Sequence, residues 1–207
     1  MPVIYEHTNF SILSIPKVGS ANLQIWCNNN NITTTDKQPQ DKPLYAFWRH
    51  PETRIPSGLA TNINELVYTL HNIEGLWNYN QHKKLYHEII LRWCDNPTHE
   101  PMTVLGVKVQ GQHHAPMPTW LDGFSITPTH WIPLEQLNLF PEYLNNKYNT
   151  NFTTDIQGAN EHPDQKNWLP WRTFLECCTP QGLEFVQFLI KRDTYRPLVM
   201  YSINANY

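Results

Sequence analysis

The segment 16–22 has the residue types of a phosphate-binding turn. It follows the short apolar run 10–13 and precedes residues that are compatible with a helix. A strand that ends in such a turn presents backbone N–H groups and one ammonium, that of Lys17, to an anion. The turn is not a Walker A loop, because Lys17 precedes its only glycine. Its members are Pro16, Lys17, Val18, Gly19, Ser20, Ala21 and Asn22.

A second basic turn follows the β-prone run 44–48. It reads Arg49-x-Pro51-x-x-Arg54-x-x-Ser57. Two strands that each release a basic, hydroxyl-bearing turn at the carboxyl end suit a parallel sheet whose ligand lies beyond the strand ends. The two turns are therefore predicted to form one anion-binding site.

Both turns, and three later segments, resemble sequence motifs of one enzyme family. Residues 16–20 resemble the 5′-phosphosulfate loop of the sulfotransferases, and residues 49–57 resemble their 3′-phosphate motif. Residues 113–117 are similar to the His-x-x-Pro-Gln segment of the carbohydrate sulfotransferases and their bacterial and viral relatives. Residues 131–137 are similar to their strand followed by Glu-x-Leu, and residues 188–195 to their closing helix and Asp-Tyr.

The resemblance implies a single catalytic domain over residues 1–207. The expected fold is α/β, a three-layer P-loop-like fold with a central parallel sheet flanked by helices. The expected reaction transfers the sulfuryl group of 3′-phosphoadenosine 5′-phosphosulfate to a hydroxyl of a small-molecule or glycan acceptor. It leaves 3′,5′-bisphosphoadenosine and requires no metal.

The resemblance also assigns roles to the two turns. Lys17 is expected at the bridging oxygen on which charge accumulates, and the amides of residues 19–22 at the 5′-phosphate. Arg49 and Ser57 are expected to bind the 3′-phosphate, with Ser57 at a helix N-terminus because Pro56 suits a first helical position. For Arg54, an ion pair with Glu52 or Glu65 is at least as plausible as a phosphate contact.

Other candidate site residues lie further along the chain. His114 and His113 lead as general base, because their segment resembles the histidine motif of the family. Three side chains rank below them: Glu135, His87 and Glu88. The loop 157–167 is expected where relatives close a lid, so Asn160 or Lys166 are candidates for contacts with the nucleotide; a solvated loop is an equal alternative.

Three departures from the family pattern leave a second hypothesis open. Ala21 and Asn22 replace hydroxyl-bearing residues, and His50 replaces an aspartate that is usual in relatives. The alternative is a catalytically silent protein that keeps the fold as a nucleotide-binding or interaction module. A nucleotide kinase is disfavoured, because neither a Walker A lysine nor a metal-binding aspartate follows a strand in the expected place.

The composition restricts the partners. With 15 Lys and Arg and a formal charge of −3, the chain has no basic excess for a nucleic-acid backbone. No apolar run has the length of a membrane helix, and the N-terminus lacks the pattern of a signal peptide, so a cytoplasmic protein is expected. The four cysteines lack C-x-x-C spacing, so buried free thiols are expected rather than a zinc site.

The elements that must position these residues alternate between strands and helices, which favours a three-layer α/β fold. A strand is predicted over 104–109 and another over 131–134, while residues 28–43 are predicted to be a polar loop. Helices are predicted over 20–27, from a cap at Thr61 or Asn62, over 81–93, for most of 133–148, and over 179–192.

Overall fold

The computed structural model describes residues 3–16, 18–36, 41–71, 78–98, 102–109, 115, 117, 121, 127–156, 167–193, 195–197 and 199–203. The chain is α/β and divides into two compact units. The first unit comprises Met1–Arg49, Pro118–Glu161 and Tyr195–Tyr207, and the second comprises His50–Met117 and His162–Thr194. The expectation of a single domain stays a prediction.

The first unit is built on a five-stranded sheet. Its strands are β1 (Val3–Glu6), β2 (Ser11–Ser14), β3 (Thr33–Thr35), β4 (Leu44–Trp48) and β7 (His130–Pro133). Their order across the sheet is β3-β1-β2-β4-β7. β2, β4 and β7 are parallel, whereas β1 is antiparallel to both β2 and β3. The sheet is therefore mixed, which differs from the expected parallel sheet.

The central strands of this sheet are apolar and buried. All four side chains of β2 and the first four of β4 are buried, as is typical of strands covered on both faces. Tyr45 of β4 pairs with Ile12 of β2 on one side and with His130 of β7 on the other. This register fixes where the turns after β2 and β4 leave the sheet.

In its described residues, the first unit has the helices α1 (Ser20–Asn29), a 3-10 helix (Leu134–Leu139) and α4 (Phe140–Tyr148). The prediction of a helix after the first turn is confirmed. In α1 the side chains of Leu23, Trp26 and Cys27 are buried, at the spacing of one helix face. The Trp26 indole N–H donates to the carbonyl of Thr153 at 2.7 Å.

The second unit is mainly helical. It contains α2 (Pro51–His71), α3 (Lys83–Asp95), the hairpin β5 (Met102–Val104) and β6 (Val107–Val109), α5 (Trp171–Cys177) and α6 (Pro180–Arg192). α2 packs against α3, α5 and α6. Its buried apolar residues recur every three or four positions and form the centre of this core: Ile55, Leu59, Ile63, Leu66 and Val67.

Two predicted boundaries in the second unit are wrong. The helix expected to start at Thr61 or Asn62 begins ten residues earlier, at Pro51. Thr61 lies inside it, where its hydroxyl donates to the Ser57 carbonyl four residues back at 3.0 Å instead of capping a helix. The strand expected over 104–109 is a hairpin, because Leu105 and Gly106 both have positive φ, at 50° and 79°, and reverse the chain.

Several other predictions hold. The predicted helix over 179–192 is α6, with Thr179 as its N-cap. The helical pattern within 133–148 corresponds to the 3-10 helix and α4. Within the segment 28–43, which is predicted to be a polar loop, the described residues include the last two residues of α1 and the strand β3, which was not predicted. In the part of the chain that the structure describes, no helix has the length and apolar character to cross a membrane.

Candidate functional site

The turns after β2 and β4 leave the sheet at the same edge. β2 and β4 are adjacent and parallel, and the chain leaves them after Ser14 and Trp48 respectively. The first turn leads to α1, and the second begins with Arg49, which is half-buried. The structure thus brings Pro16, Val18, Gly19 and the start of α1 to the strand end next to the one that carries Arg49.

The N-terminus of α1 presents uncapped backbone donors. Gly19 is the N-cap residue, with φ 80° and ψ 16°, and no side chain in the described part of the chain caps the helix. The first intrahelical bond runs from the Leu23 N–H to the Gly19 carbonyl at 3.0 Å. The four N–H groups that precede it, those of residues 19–22, have no partner within the helix. These are the amides that the sequence predicts for an anion.

Gly19 is also fixed by packing. A Cβ atom at this position would lie 3.0 Å from a methyl carbon of Leu134 and 3.0 Å from one of Leu137, both on the 3-10 helix. The residue therefore combines a left-handed backbone with a close approach to a neighbouring element, and both favour glycine.

We expect Gly19→Ala to lower the free energy of unfolding by about 2–3 kcal/mol. About 1–2 kcal/mol of this comes from the left-handed conformation, and the rest from the contact with the two leucines. Urea unfolding measures the change.

The matched control for this variant is Gly106→Ala. Gly106 has nearly the same φ, 79°, but a Cβ there would meet nothing within 4 Å. The loss of stability in Gly106→Ala is therefore expected to come from the left-handed backbone conformation alone. Equal losses for the two variants would contradict the role of the leucine contact.

His50 caps the helix that follows the second turn. Its Nδ1 accepts from the Glu52 N–H at 3.3 Å, and its carbonyl accepts from the N–H groups of Thr53 and Arg54 at 3.0 and 2.9 Å. Pro51 occupies the first helical position, where its missing N–H costs nothing. The histidine that replaces the expected aspartate thus keeps an acceptor at the start of α2.

Ser57 does not lie at a helix N-terminus, so that prediction is wrong. It lies in the second turn of α2, within the second unit, and is half-buried. Two prolines in this segment could each begin a helix, and the earlier one, Pro51, does so. Pro56 is inside the helix instead.

Arg54 forms a buried ion pair, but with neither of the carboxylates that the sequence suggested. Its guanidinium donates to a carboxylate oxygen of Asp193, and the exposed fractions of the two side chains are 0% and 1%. A second nitrogen, Nη1, donates to the Ala115 carbonyl at 2.7 Å. Arg54 is thus a structural residue of the second unit, since these contacts compensate its buried charge.

Three of the family-like segments meet at this ion pair. Arg54 belongs to the motif 49–57, Ala115 to the segment 113–117, and Asp193 to the closing segment 188–195. The other oxygen of Asp193 accepts from the Met117 N–H at 3.3 Å. The chain on the carboxyl side of the two predicted histidines is therefore held by Arg54 and Asp193.

Five of the predicted site residues lie outside the described residues: Lys17, His113, His114, Asn160 and Lys166. The weaker candidates are described. Glu135 lies in the first turn of the 3-10 helix, and Glu88 accepts from Arg92 at 2.7 Å on the surface of α3. Among the residues that the structure describes, no three His, Cys, Asp or Glu side chains could hold a metal ion together.

One cluster in the first unit was not predicted from the sequence. The ammonium of Lys147 donates to the hydroxyls of Tyr45 and Tyr143 at 3.0 and 2.7 Å. It lies 5.2–5.8 Å from the ring centroids of Tyr45, Tyr143, Tyr148 and Tyr201. The only local signal was the i, i+4 spacing of Tyr143 and Lys147. A cleft of about 210 Å³ beside the cluster is lined by Tyr143, Asn146, Lys147 and Tyr201.

Comparison of the chain with protein-family models, with curated proteins and with solved structures found no match.

Proposed function

We propose that this protein is a sulfotransferase that uses 3′-phosphoadenosine 5′-phosphosulfate. The acceptor is a hydroxyl group of a small molecule or a glycan. The proposal includes the three-layer P-loop-like arrangement expected from the resemblance, with β2, β4 and β7 as the parallel part of its sheet.

The observation that carries the proposal is the position of the two turns. They follow adjacent parallel strands, and an anionic ligand commonly lies beyond the carboxyl ends of such strands. The motifs are separated by about thirty residues of sequence, yet the register of β2 and β4 brings their starting points together. The proposal uses the part of this site in the first unit: residues 16–22 and Arg49.

The N-terminus of α1 fits the 5′-phosphate end of the nucleotide. Its four uncapped amides can donate together to one anion, and the partial positive charge of the helix end favours a phosphate. No acidic residue lies in the first turn of α1 to oppose an anion. Gly19 leaves the backbone there without a side chain.

In the proposed reaction, Lys17, the amides of residues 19–22 and Arg49 have different roles. The donor supplies the sulfuryl group. The amides of residues 19–22 hold the 5′-phosphate, and Arg49 binds the 3′-phosphate through its guanidinium. Lys17 stabilises the negative charge that develops on the bridging oxygen as the S–O bond breaks.

We expect Arg49→Ala to weaken the binding of 3′,5′-bisphosphoadenosine about ten- to a hundredfold. This corresponds to the loss of a charge-assisted hydrogen bond to the 3′-phosphate. Isothermal titration calorimetry of the parent protein and the variant measures the change. ATP, which has no 3′-phosphate, is expected to bind more weakly than the bisphosphate to the parent and to lose little affinity in the variant.

Arg92→Ala is the matched control, because Arg92 is exposed on the surface of α3, where its guanidinium donates to Glu88. This variant is expected to bind the bisphosphate like the parent. Equal affinity of the parent for ATP and for the bisphosphate would contradict the proposed function.

The second candidate is a catalytically silent nucleotide-binding protein. Ala21 and Asn22 favour it. They lie in the first turn of α1 and lack the side-chain hydroxyls that are usual at these positions in the sulfotransferase family. Both candidates predict binding of the bisphosphate. Transfer of labelled sulfuryl groups from the donor to a panel of acceptors separates them.

A further inference from the structure

Three of the four cysteines lie in one part of the second unit. Cys94 is in the last turn of α3 and is buried, and Cys177 and Cys178 are half-buried at the end of α5. The fourth, Cys27, belongs to the first unit, where burial raises the pKa of its thiol to about 12. Cys27 is therefore an unreactive thiol at neutral pH.

Cys94 and Cys178 lie side by side. Their side chains are hydrogen-bonded to each other, and the Cys178 thiol shares its single proton between the Cys94 sulfur and the Phe174 carbonyl, which lies 3.2 Å from Cys178 Sγ. Both residues flank Gly182 in the first turn of α6. A Cβ atom at Gly182 would lie 2.4 Å from Cys94 Sγ and 3.5 Å from Cys178 Cβ. The missing side chain of this glycine therefore leaves the space that Cys94 Sγ occupies beside Cys178.

The sulfur of Cys94 accepts further hydrogen bonds at the N-terminus of α6. They come from the backbone and the side chain of Thr179, the N-cap residue. The hydroxyl of Thr179 also accepts from the Gly182 N–H at 3.2 Å, which holds it in place. The bond from Cys178, together with those from Thr179, lowers the pKa of Cys94 despite its burial. Donors and a helix N-terminus of this kind stabilise a thiolate.

The two sulfurs differ in accessibility. Cys94 is 0% exposed, whereas Cys178 is half-buried and can meet a small reagent. Sharing a proton with Cys94 raises the pKa of Cys178. The pair thus combines an outer thiol with an inner sulfur that is held as a nucleophile next to it.

We propose that Cys94 and Cys178 form a reversible disulfide when the protein meets a low-molecular-weight disulfide such as oxidised glutathione. Cys178 passes its proton to the Cys94 sulfur, with which it is hydrogen-bonded, and attacks one sulfur of the reagent; the glutathione thiolate that leaves takes up this proton from Cys94. Cys94 then attacks the Cys178 sulfur of the mixed disulfide and releases the second. The two protein thiols lose two protons and two electrons in total, and the reagent is reduced to two thiols. The inference does not depend on the proposed function.

Cys177 serves as the internal comparison. Its sulfur lies 3.1 Å from His87 Nε2, which in turn lies 3.2 Å from the Tyr79 hydroxyl. Burial raises the pKa of Cys177. Its thiol is thus engaged with a different set of groups from those around Cys94, and we expect it to stay outside the disulfide.

The test treats the full-length protein with oxidised glutathione and follows its intact mass. The parent is expected to lose two hydrogen atoms, and peptide mapping is expected to join Cys94 to Cys178. Cys94→Ser is expected to stop at a mixed disulfide, gaining one glutathionyl group on Cys178. Cys177→Ser and Cys27→Ser are the matched controls and are expected to behave like the parent.

Three results would overturn the inference. One is a disulfide or a glutathionyl group on Cys177 in the parent in place of the Cys94–Cys178 bond. Another is loss of two hydrogens in Cys94→Ser at the parental rate. The third is an unchanged mass for the folded parent under conditions in which the urea-unfolded protein reacts, since this would show that the folded pair is inert.

Discussion

Asp193→Ala is expected to lower the free energy of unfolding by about 3–5 kcal/mol. The variant leaves the guanidinium of Arg54, which is 0% exposed, without the carboxylate that compensates its charge. It also removes the acceptor of the Met117 N–H. Urea unfolding, monitored by tryptophan fluorescence, measures the loss.

Two control variants of the Asp193→Ala experiment distinguish the effect of a buried uncompensated charge from the loss of an ion pair in general. Glu88→Ala breaks the pair between Glu88 and Arg92, which are 55% and 47% exposed, and is expected to cost less than about 1 kcal/mol. The double variant Arg54→Met with Asp193→Leu removes both charges and is expected to recover most of the loss. A double variant as unstable as Asp193→Ala would contradict the explanation by an uncompensated charge.

Lys17→Ala is expected to reduce sulfuryl transfer at least about a hundredfold while the binding of 3′,5′-bisphosphoadenosine remains measurable. The physical reason is that the ammonium acts on charge that develops only as the S–O bond breaks, so its loss affects the transition state more than the bound nucleotide. Labelled donor measures transfer to an acceptor, and calorimetry measures binding.

Lys84→Ala provides the matched control, because Lys84 is exposed on α3. It is expected to transfer at the parental rate. Lys17→Arg keeps the charge with a different geometry and is expected to fall between the parent and Lys17→Ala. Parental transfer by Lys17→Ala would show that the assigned role of Lys17 is wrong.

The elements with a strong local signal could be predicted from the sequence. α1 was expected because the residues after the Gly19 turn are compatible with a helix, and α6 because apolar residues recur over 183–190 and Pro180 suits a first helical turn. β7 follows from its apolar, β-prone residues. In each of these cases the neighbouring residues alone contain the information.

The missed elements depend on partners elsewhere in the chain. β3 is only Thr-Thr-Thr within a polar segment, and it becomes a strand because it pairs with β1. β1 itself lies antiparallel to β2, so the sheet is mixed. The hairpin turn Leu105-Gly106 lacks the usual Asn-Gly or Asp-Gly signal, since a leucine adopts the first positive φ.

In the candidate site, too, local features could be predicted from the sequence and contacts with distant residues could not. The motif around Gly19 predicted a turn with donor amides before a helix, because these are properties of a few consecutive residues. The partner of Arg54 could not be chosen locally, since Asp193 is 139 residues away. The nearer carboxylates, Glu52 and Glu65, were favoured only by their position in the sequence.

The tyrosine cluster around Lys147 has a consequence for the alkaline limit of the fold. Burial, and then hydrogen bonds with Tyr143 and Tyr148, raise the pKa of Tyr45 in this cluster. In the core of the second unit, burial likewise raises the pKa of Tyr86 to about 12. In the unfolded chain, the tyrosine hydroxyl loses its proton at about pH 10. Above that pH the native chain holds protons that the unfolded chain has released, so its stability falls as the solution becomes more basic. Ionisation of these phenols and the loss of structure in base are therefore coupled events.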